Sequence, residues 1–158
     1  MSIQGGGPFP AEVLAALTGS PTVGTWDTIV PLLTVDEAGF PHVCLLSRSE
    51  LEATEEEVLA AVGSRVTTEN LRRAGQATLL VVDGDASIYC KMAINRTDDG
   101  EPGLLGVAFR LISMKRDSIG IPLQPPRFLV AEGLPDSENW EASSRLLARL
   151  AATPSRIQ

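Results

Sequence analysis

Four short apolar runs between Thr28 and Ile94 fall into two pairs, and each pair is joined by a turn rich in aspartate and glycine. Thr28 to Val35 leads through Asp36-Glu37-Ala38-Gly39-Phe40 into Pro41 to Ser47, and Thr78 to Val82 leads through Asp83-Gly84-Asp85 into Ser87 to Ile94. Runs of β-branched and aliphatic residues across so short a glycine-containing loop predict antiparallel hairpins, since parallel strands need a much longer crossover. A further extended stretch is predicted over Leu104 to Met114, and a brief one over Phe128 to Val130. Strands separated by turns, with few helices between them, point to an antiparallel barrel or α+β domain and not to alternating β-α units.

Helical spacing is confined to short segments. Pro10 to Leu17 carries Val13, Leu14 and Leu17 at helical intervals, with Pro10 suited to the start and Gly19 to the stop, and predicts a lid-like helix. Thr67 to Arg73, opened by a capping threonine and closed by Gly75, predicts a second. A third, over residues 137–152, places Trp140, Leu147 and Leu150 on one face with Leu146 beside them and Pro154 beyond the end, and should dock on the barrel or on a partner. Glu57 to Val62 is ambiguous: Glu, Leu and Ala favour a helix, while its shortness and the following Gly63-Ser64 favour a strand. Met1 to Pro8, with three consecutive glycines and no periodicity, reads as a loose tail.

At 158 residues the chain is expected to form a single domain, residues 1–158, with one core. A formal net charge of −7 argues against a sequence-independent grip on nucleic acid, which needs many cations to displace phosphate counterions. Cys44 and Cys90, the only cysteines, both sit in apolar runs and read as buried free thiols in a reducing cytoplasm. No apolar run approaches the length of a membrane span, so a cytoplasmic location and no membrane partner are expected. His42 is the only histidine, which leaves no histidine-based metal cluster within a subunit and predicts a surface residue beside the turn. There is no Walker loop and no strand-linked G-x-G-x-x-G; Gly5-Gly6-Gly7 precedes any strand and is too early to cradle phosphate.

The order of motifs is more specific than any one of them. Thr34-Val35-Asp36-Glu37-Ala38-Gly39-Phe40-Pro41-His42-Val43 resembles the first hairpin of the pyridoxamine 5'-phosphate oxidase-like family. Ser64-Arg65-Val66-Thr67-Thr68-Glu69-Asn70-Leu71-Arg72-Arg73 resembles that family's strand-to-helix phosphate segment, and Ala77 to Val82 with Tyr89-Cys90-Lys91 resembles its next two strands. The resemblance covers about Thr28 to Lys115. It implies a mainly β fold, a six-stranded antiparallel split β-barrel of the FMN-binding type, in which Glu57 to Val62 is a strand. It also implies a homodimer with FMN between its subunits.

The cofactor-binding residues so implied are Leu46, Ser47 and Arg48 at the end of the second strand, Ser64, Arg65, Thr67, Thr68 and Asn70 at the strand-to-helix segment, and Lys91. A helix N-terminus offers free N–H groups and a positive dipole end to a phosphate, Thr67 and Thr68 add hydroxyls, and Arg65 adds a fixed charge. Glu69 would repel a phosphate and is expected to face solvent. Ser47 stands where the oxidases proper commonly place a lysine; it either bonds the flavin or is an ordinary strand-end serine. Lys91 has either an anion or flavin role or a plain outward position in its strand, and from spacing alone Thr67 and Asn70 read as a capped surface helix and Arg65 as a solvated charge, a reading the resemblance weakens. The family's substrate-grasping Arg-x-His is absent, so pyridoxamine phosphate is not the expected substrate.

Two functions follow from the resemblance: an FMN-dependent oxidoreductase acting on a small molecule that no residue identifies, or a non-catalytic carrier of FMN, a deazaflavin of the F420 type, or haem. A dimeric barrel that has lost its ligand site is the third reading.

Overall fold

The computed structural model describes residues 2–18, 27–129 and 139–153. Both expected hairpins form. β2 (Ile29–Val35) pairs along its whole length with β3 (Pro41–Ser47), and β6 (Gln76–Asp83) pairs likewise with β7 (Ala86–Asp98). At the first turn Asp36 accepts from Phe40 N through Oδ1 at 2.9 Å, and Gly39 takes φ +89°, a conformation that side chains disfavour. At the second, Gly84 takes φ +60° in a two-residue loop with Asp85, the left-handed first position that matches the twist of a hairpin.

Among the described residues the sheet has eight strands, more than the six expected; six of them run five residues or longer, and β5 (Val58–Val62) and β8 (Leu105–Ser118) complete that set. Two three-residue strands are added: β1 (Ser2–Gln4) and β4 (Leu51–Ala53). The sheet is antiparallel throughout, in the order β3-β2-β6-β7-β8-β5-β4, with β1 paired to β8 off that path. Residues expected in a loose tail are therefore partly ordered: Ser2, Ile3 and Gln4 lie opposite Lys115, Met114 and Ser113, and Gly6 N donates to Ile112 O at 2.8 Å. The pairing satisfies backbone groups that β8 would otherwise leave at an edge, a long-range demand with no local sign in the sequence.

β5 settles the ambiguous segment as a strand. All five of its residues are buried: Val58, Ala60 and Val62 face the barrel interior, while Leu59 and Ala61 join Ala108 beneath the C-terminal helix. A strand covered on both faces reads as a continuous apolar run, which is why periodicity failed to distinguish it from a helix.

Three α-helices among the described residues seal the sheet. In α1 (Ala11–Leu17) Val13 and Leu17 are fully buried and, with Phe9, enter the main core, so this helix is a plug and not a lid; Gly19 lies outside the described residues. The second helix, α2 (Arg65–Ala74), begins two residues before the expected start. Ser64, not Thr67, is its cap, the Ser64 hydroxyl accepting from Thr67 N at 3.2 Å, while Gly75 closes it at φ +69°. α3 (Trp140–Ala152) docks on its own barrel, with Ala142, Leu146, Leu147 and Leu150 buried over Leu59, Ala61 and Ala108. Residues 137 and 138, Val130 and Pro154, used in the sequence reading, lie outside the described residues.

Candidate functional site

The end of β3, the start of α2 and the loop before β8 meet in space because Val62 pairs with Leu105, which brings Gly63 beside Leu104. Two adjoining cavities open there, sharing Gly63, Pro102, Gly103 and Leu104. The first, about 510 Å³, adds Cys44, Leu45, Leu46, Glu50, Ser64 and Asn139; the second, about 570 Å³, adds Arg65, Thr68, Glu69, Arg72, Asp99, Glu101 and Leu105.

Four of the nine residues expected at a cofactor site line these cavities: Leu46 and Ser64 the first, Arg65 and Thr68 the second. Ser47 and Arg48 do not. Ser47 is fully buried and caps a 3-10 turn (Arg48–Glu50), its hydroxyl accepting from Ser49 N at 3.1 Å while its own N–H donates to Glu50 Oε1 at 2.8 Å. Arg48 is buried as well and donates to the carbonyls of Leu51 and Thr18 at 3.3 and 2.5 Å. Burial pulls its pKa down, against the opposing field of Glu52.

Thr67 and Asn70 turn inward from α2. Asn70 donates to Thr34 Oγ1 at 3.0 Å and accepts from Arg73 at 3.2 Å, while the fully buried Thr67 Oγ1 has no hydrogen-bond partner and lines neither cavity. Lys91 is elsewhere: it is exposed on the outer face of β7 and lines a separate depression of about 280 Å³ with Leu33, Thr78 and Ile112.

Charge around the second cavity is paired. Arg65 is 91% exposed and bonds Glu69 at 3.0 Å, so Glu69 does face solvent, and Arg72 bonds Asp99 at 2.5 Å. Glu101 receives Arg145 at 3.2 Å and Arg149 at 3.0 Å, and Arg149 also meets Asp98 at 3.3 Å. These guanidiniums hold Glu101 and Asp98 below the usual carboxylate range, Arg145 leading for Glu101 and Arg149 for Asp98. Sequence reasoning missed Asp99, Glu101 and Asn139, since only the tertiary fold carries the 99–104 loop and α3 to the start of α2.

A flavin placed here would meet two different environments. Cys44, Leu45, Leu46 and Leu104 supply the apolar part of the first cavity, Leu45 from the outer face of β3 and Cys44 and Leu46 from its core face, and the N–H groups of Arg65 and Val66, at the first turn of α2, have no partner within the helix. For a phosphate the fit is poor: each arginine lining the second cavity already holds a carboxylate that lines it too. Among the described residues no group of three or more metal-ligating side chains is assembled, and no helix is long and apolar enough to cross a membrane.

No family model matches the sequence, and no curated protein matches it significantly. Solved structures do. An FMN-binding protein from Syntrophomonas wolfei aligns over 60% of this chain and 80% of its own, with 15% identity and a TM-score of 0.50. The styrene monooxygenase flavin reductase of Pseudomonas putida S12 aligns over 66% of this chain and 92% of its own, with 11% identity and a TM-score of 0.50. A conserved hypothetical protein of Mycobacterium tuberculosis covers more, 82% of this chain and 99% of its own, with 14% identity and the same TM-score of 0.50. At these identities the likeness is one of architecture, and the chain has the antiparallel split-barrel fold of flavin-binding proteins.

Proposed function

We propose that the chain is a flavin-binding protein of the oxidoreductase type, active as a homodimer, with the flavin ring against Cys44, Leu45, Leu46 and Leu104. The observation that carries this is the position of Leu45, which lines the cavity and is also 54% exposed on the outer face of the sheet. That face is apolar well beyond the cavity: Leu33 lies opposite Val43, Val35 opposite Pro41, and Ile112 is exposed on β8. An uncovered apolar sheet face of this extent calls for a partner, and a two-fold pairing lets one patch serve both copies. A second copy seated there stands at the cavity mouth and completes a site shared by both chains, burying about 2,000 Å² or more in total.

A bound flavin supplies the electron transfer. The protein's part is to hold the ring against the apolar side chains of the first cavity, exclude water from it, and leave one edge open to a small substrate.

Titration of the purified protein with FMN, followed by flavin fluorescence, together with light scattering at micromolar concentration, tests the reading. Saturable quenching and twice the chain mass are expected, and Leu45→Asp should abolish both. Reduction of the bound flavin by NADH or NADPH with turnover identifies an enzyme; its absence identifies a carrier. A monomer that takes up no flavin overturns the proposal.

A further inference from the structure

Resting on that reading, we infer that the site recognises a flavin by its ring and not by its phosphate, so that riboflavin and FMN bind with similar affinity. The cavity at the start of α2 is where a phosphate would seek charge, and its two guanidiniums stand against three carboxylates, Glu69, Asp99 and Glu101. Arg65 is committed to Glu69 one turn along the same helix, and Arg72 to Asp99 across the cavity. Glu101 keeps its charge because Arg145 and Arg149 hold it from the α3 side, where they are tied to the barrel rather than directed at a ligand.

A phosphate entering this cavity meets more carboxylates than guanidiniums, and any arginine donor it takes is shared with a carboxylate that stays beside it as a like charge. Neither cavity is lined by a further cation, and the first-turn N–H groups of Arg65 and Val66 offer only partial charge. The Ser47 hydroxyl is spent on the turn that follows β3, and Arg48 is buried on backbone carbonyls. The apolar part of the first cavity is untouched by these pairings, so the ring keeps its contacts whether or not a phosphate is attached.

The test is a pair of fluorescence titrations of the full chain, with riboflavin and with FMN, at low and high salt, repeated on Glu69→Gln. Dissociation constants within about threefold of each other and nearly unchanged by salt are expected. Glu69→Gln, which frees Arg65, should tighten FMN about five- to tenfold and leave riboflavin unchanged. A preference of tenfold or more for FMN in the unaltered protein, the size charge-assisted bonds to a phosphate produce, overturns the inference, whichever copy supplies the cation. So does a Glu69→Gln variant that gains nothing for FMN. Failure to bind either flavin sinks the flavin reading itself and is distinguishable from both.

Discussion

Asn70 Nδ2 donates to Thr34 Oγ1 at 3.0 Å with both residues buried, and this bond ties α2 to β2. On the next turn Arg73 bonds Asn70 Oδ1 at 3.2 Å and also reaches the carbonyl of Val35. Asn70→Ala strands a buried hydroxyl and should cost about 1–3 kcal/mol in urea unfolding. Asn70→Ala with Thr34→Val should cost less than the two single changes added together. Strict additivity would mean that the two side chains do not communicate.

Gly106 lies beneath α3 with no room for a side chain: a Cβ there would stand 2.8 Å from Leu146 Cδ1 and 3.0 Å from Leu150 Cδ1. Gly106→Ala is expected to lower the thermal midpoint through an overpacking cost of about 1–3 kcal/mol. Leu146→Ala combined with it should recover part of the loss, although Leu146→Ala alone is destabilising. A thermal scan of the four proteins checks this.

Acid should loosen α3 before the sheet. Asp98 and Glu101 have pKa values lowered by Arg149 and Arg145, so the folded state binds protons later than the unfolded chain does. Their contribution is present above the ordinary carboxylate range and is lost as pH falls through the lowered values, below about pH 4. Urea midpoints at pH 7, 5 and 3 should show little change over the first interval and a drop over the second. Arg149→Gln should flatten that drop, and an equal drop in the variant would assign the acid sensitivity elsewhere.

The two thiols should separate cleanly. Cys90 is fully buried and burial pushes its pKa up to about 12, whereas Cys44 is half-buried on the cavity wall. One thiol per chain should react with a disulfide reagent at pH 8 in the native protein, and two in denaturant. Added riboflavin should slow the native reaction. If it does not, the ring does not lie against β3.

The hairpins were legible because their turn chemistry is local: Asp36 and Gly39 make one turn and Gly84 the other wherever the rest of the chain lies. The helix cap was less so. Ser64 and Thr67 are both good caps, and only the fold, which buries Thr67 on the inner face of α2 with its N–H on the Ser64 hydroxyl, decides between them. β5 had to be inferred from the resemblance, because a strand sandwiched between the core and α3 loses the alternation that marks a strand. At the candidate site Leu46, Ser64, Arg65 and Thr68 were legible in the sequence as cavity-lining positions, whereas the inward turn of Ser47, Arg48, Thr67 and Asn70 was not. The carboxylates facing the site were not legible either, since Glu101 reaches it only through a fold that also brings Arg145 from 44 residues further on.

The seating of α3 on β5 orders events during synthesis. Among the described residues the last strand of the sheet is complete at Ser118, yet Leu59, Ala61 and Ala108 stay bare until residues 140–152 have left the ribosome. A nascent chain of intermediate length therefore displays a greasy stripe on an otherwise finished sheet, the kind of surface that chaperones hold and that aggregates when they do not. Yield of soluble protein should thus be more sensitive to changes at Leu146 and Leu150 than the equilibrium stability of the finished protein suggests, because those residues both anchor the helix and end the exposure.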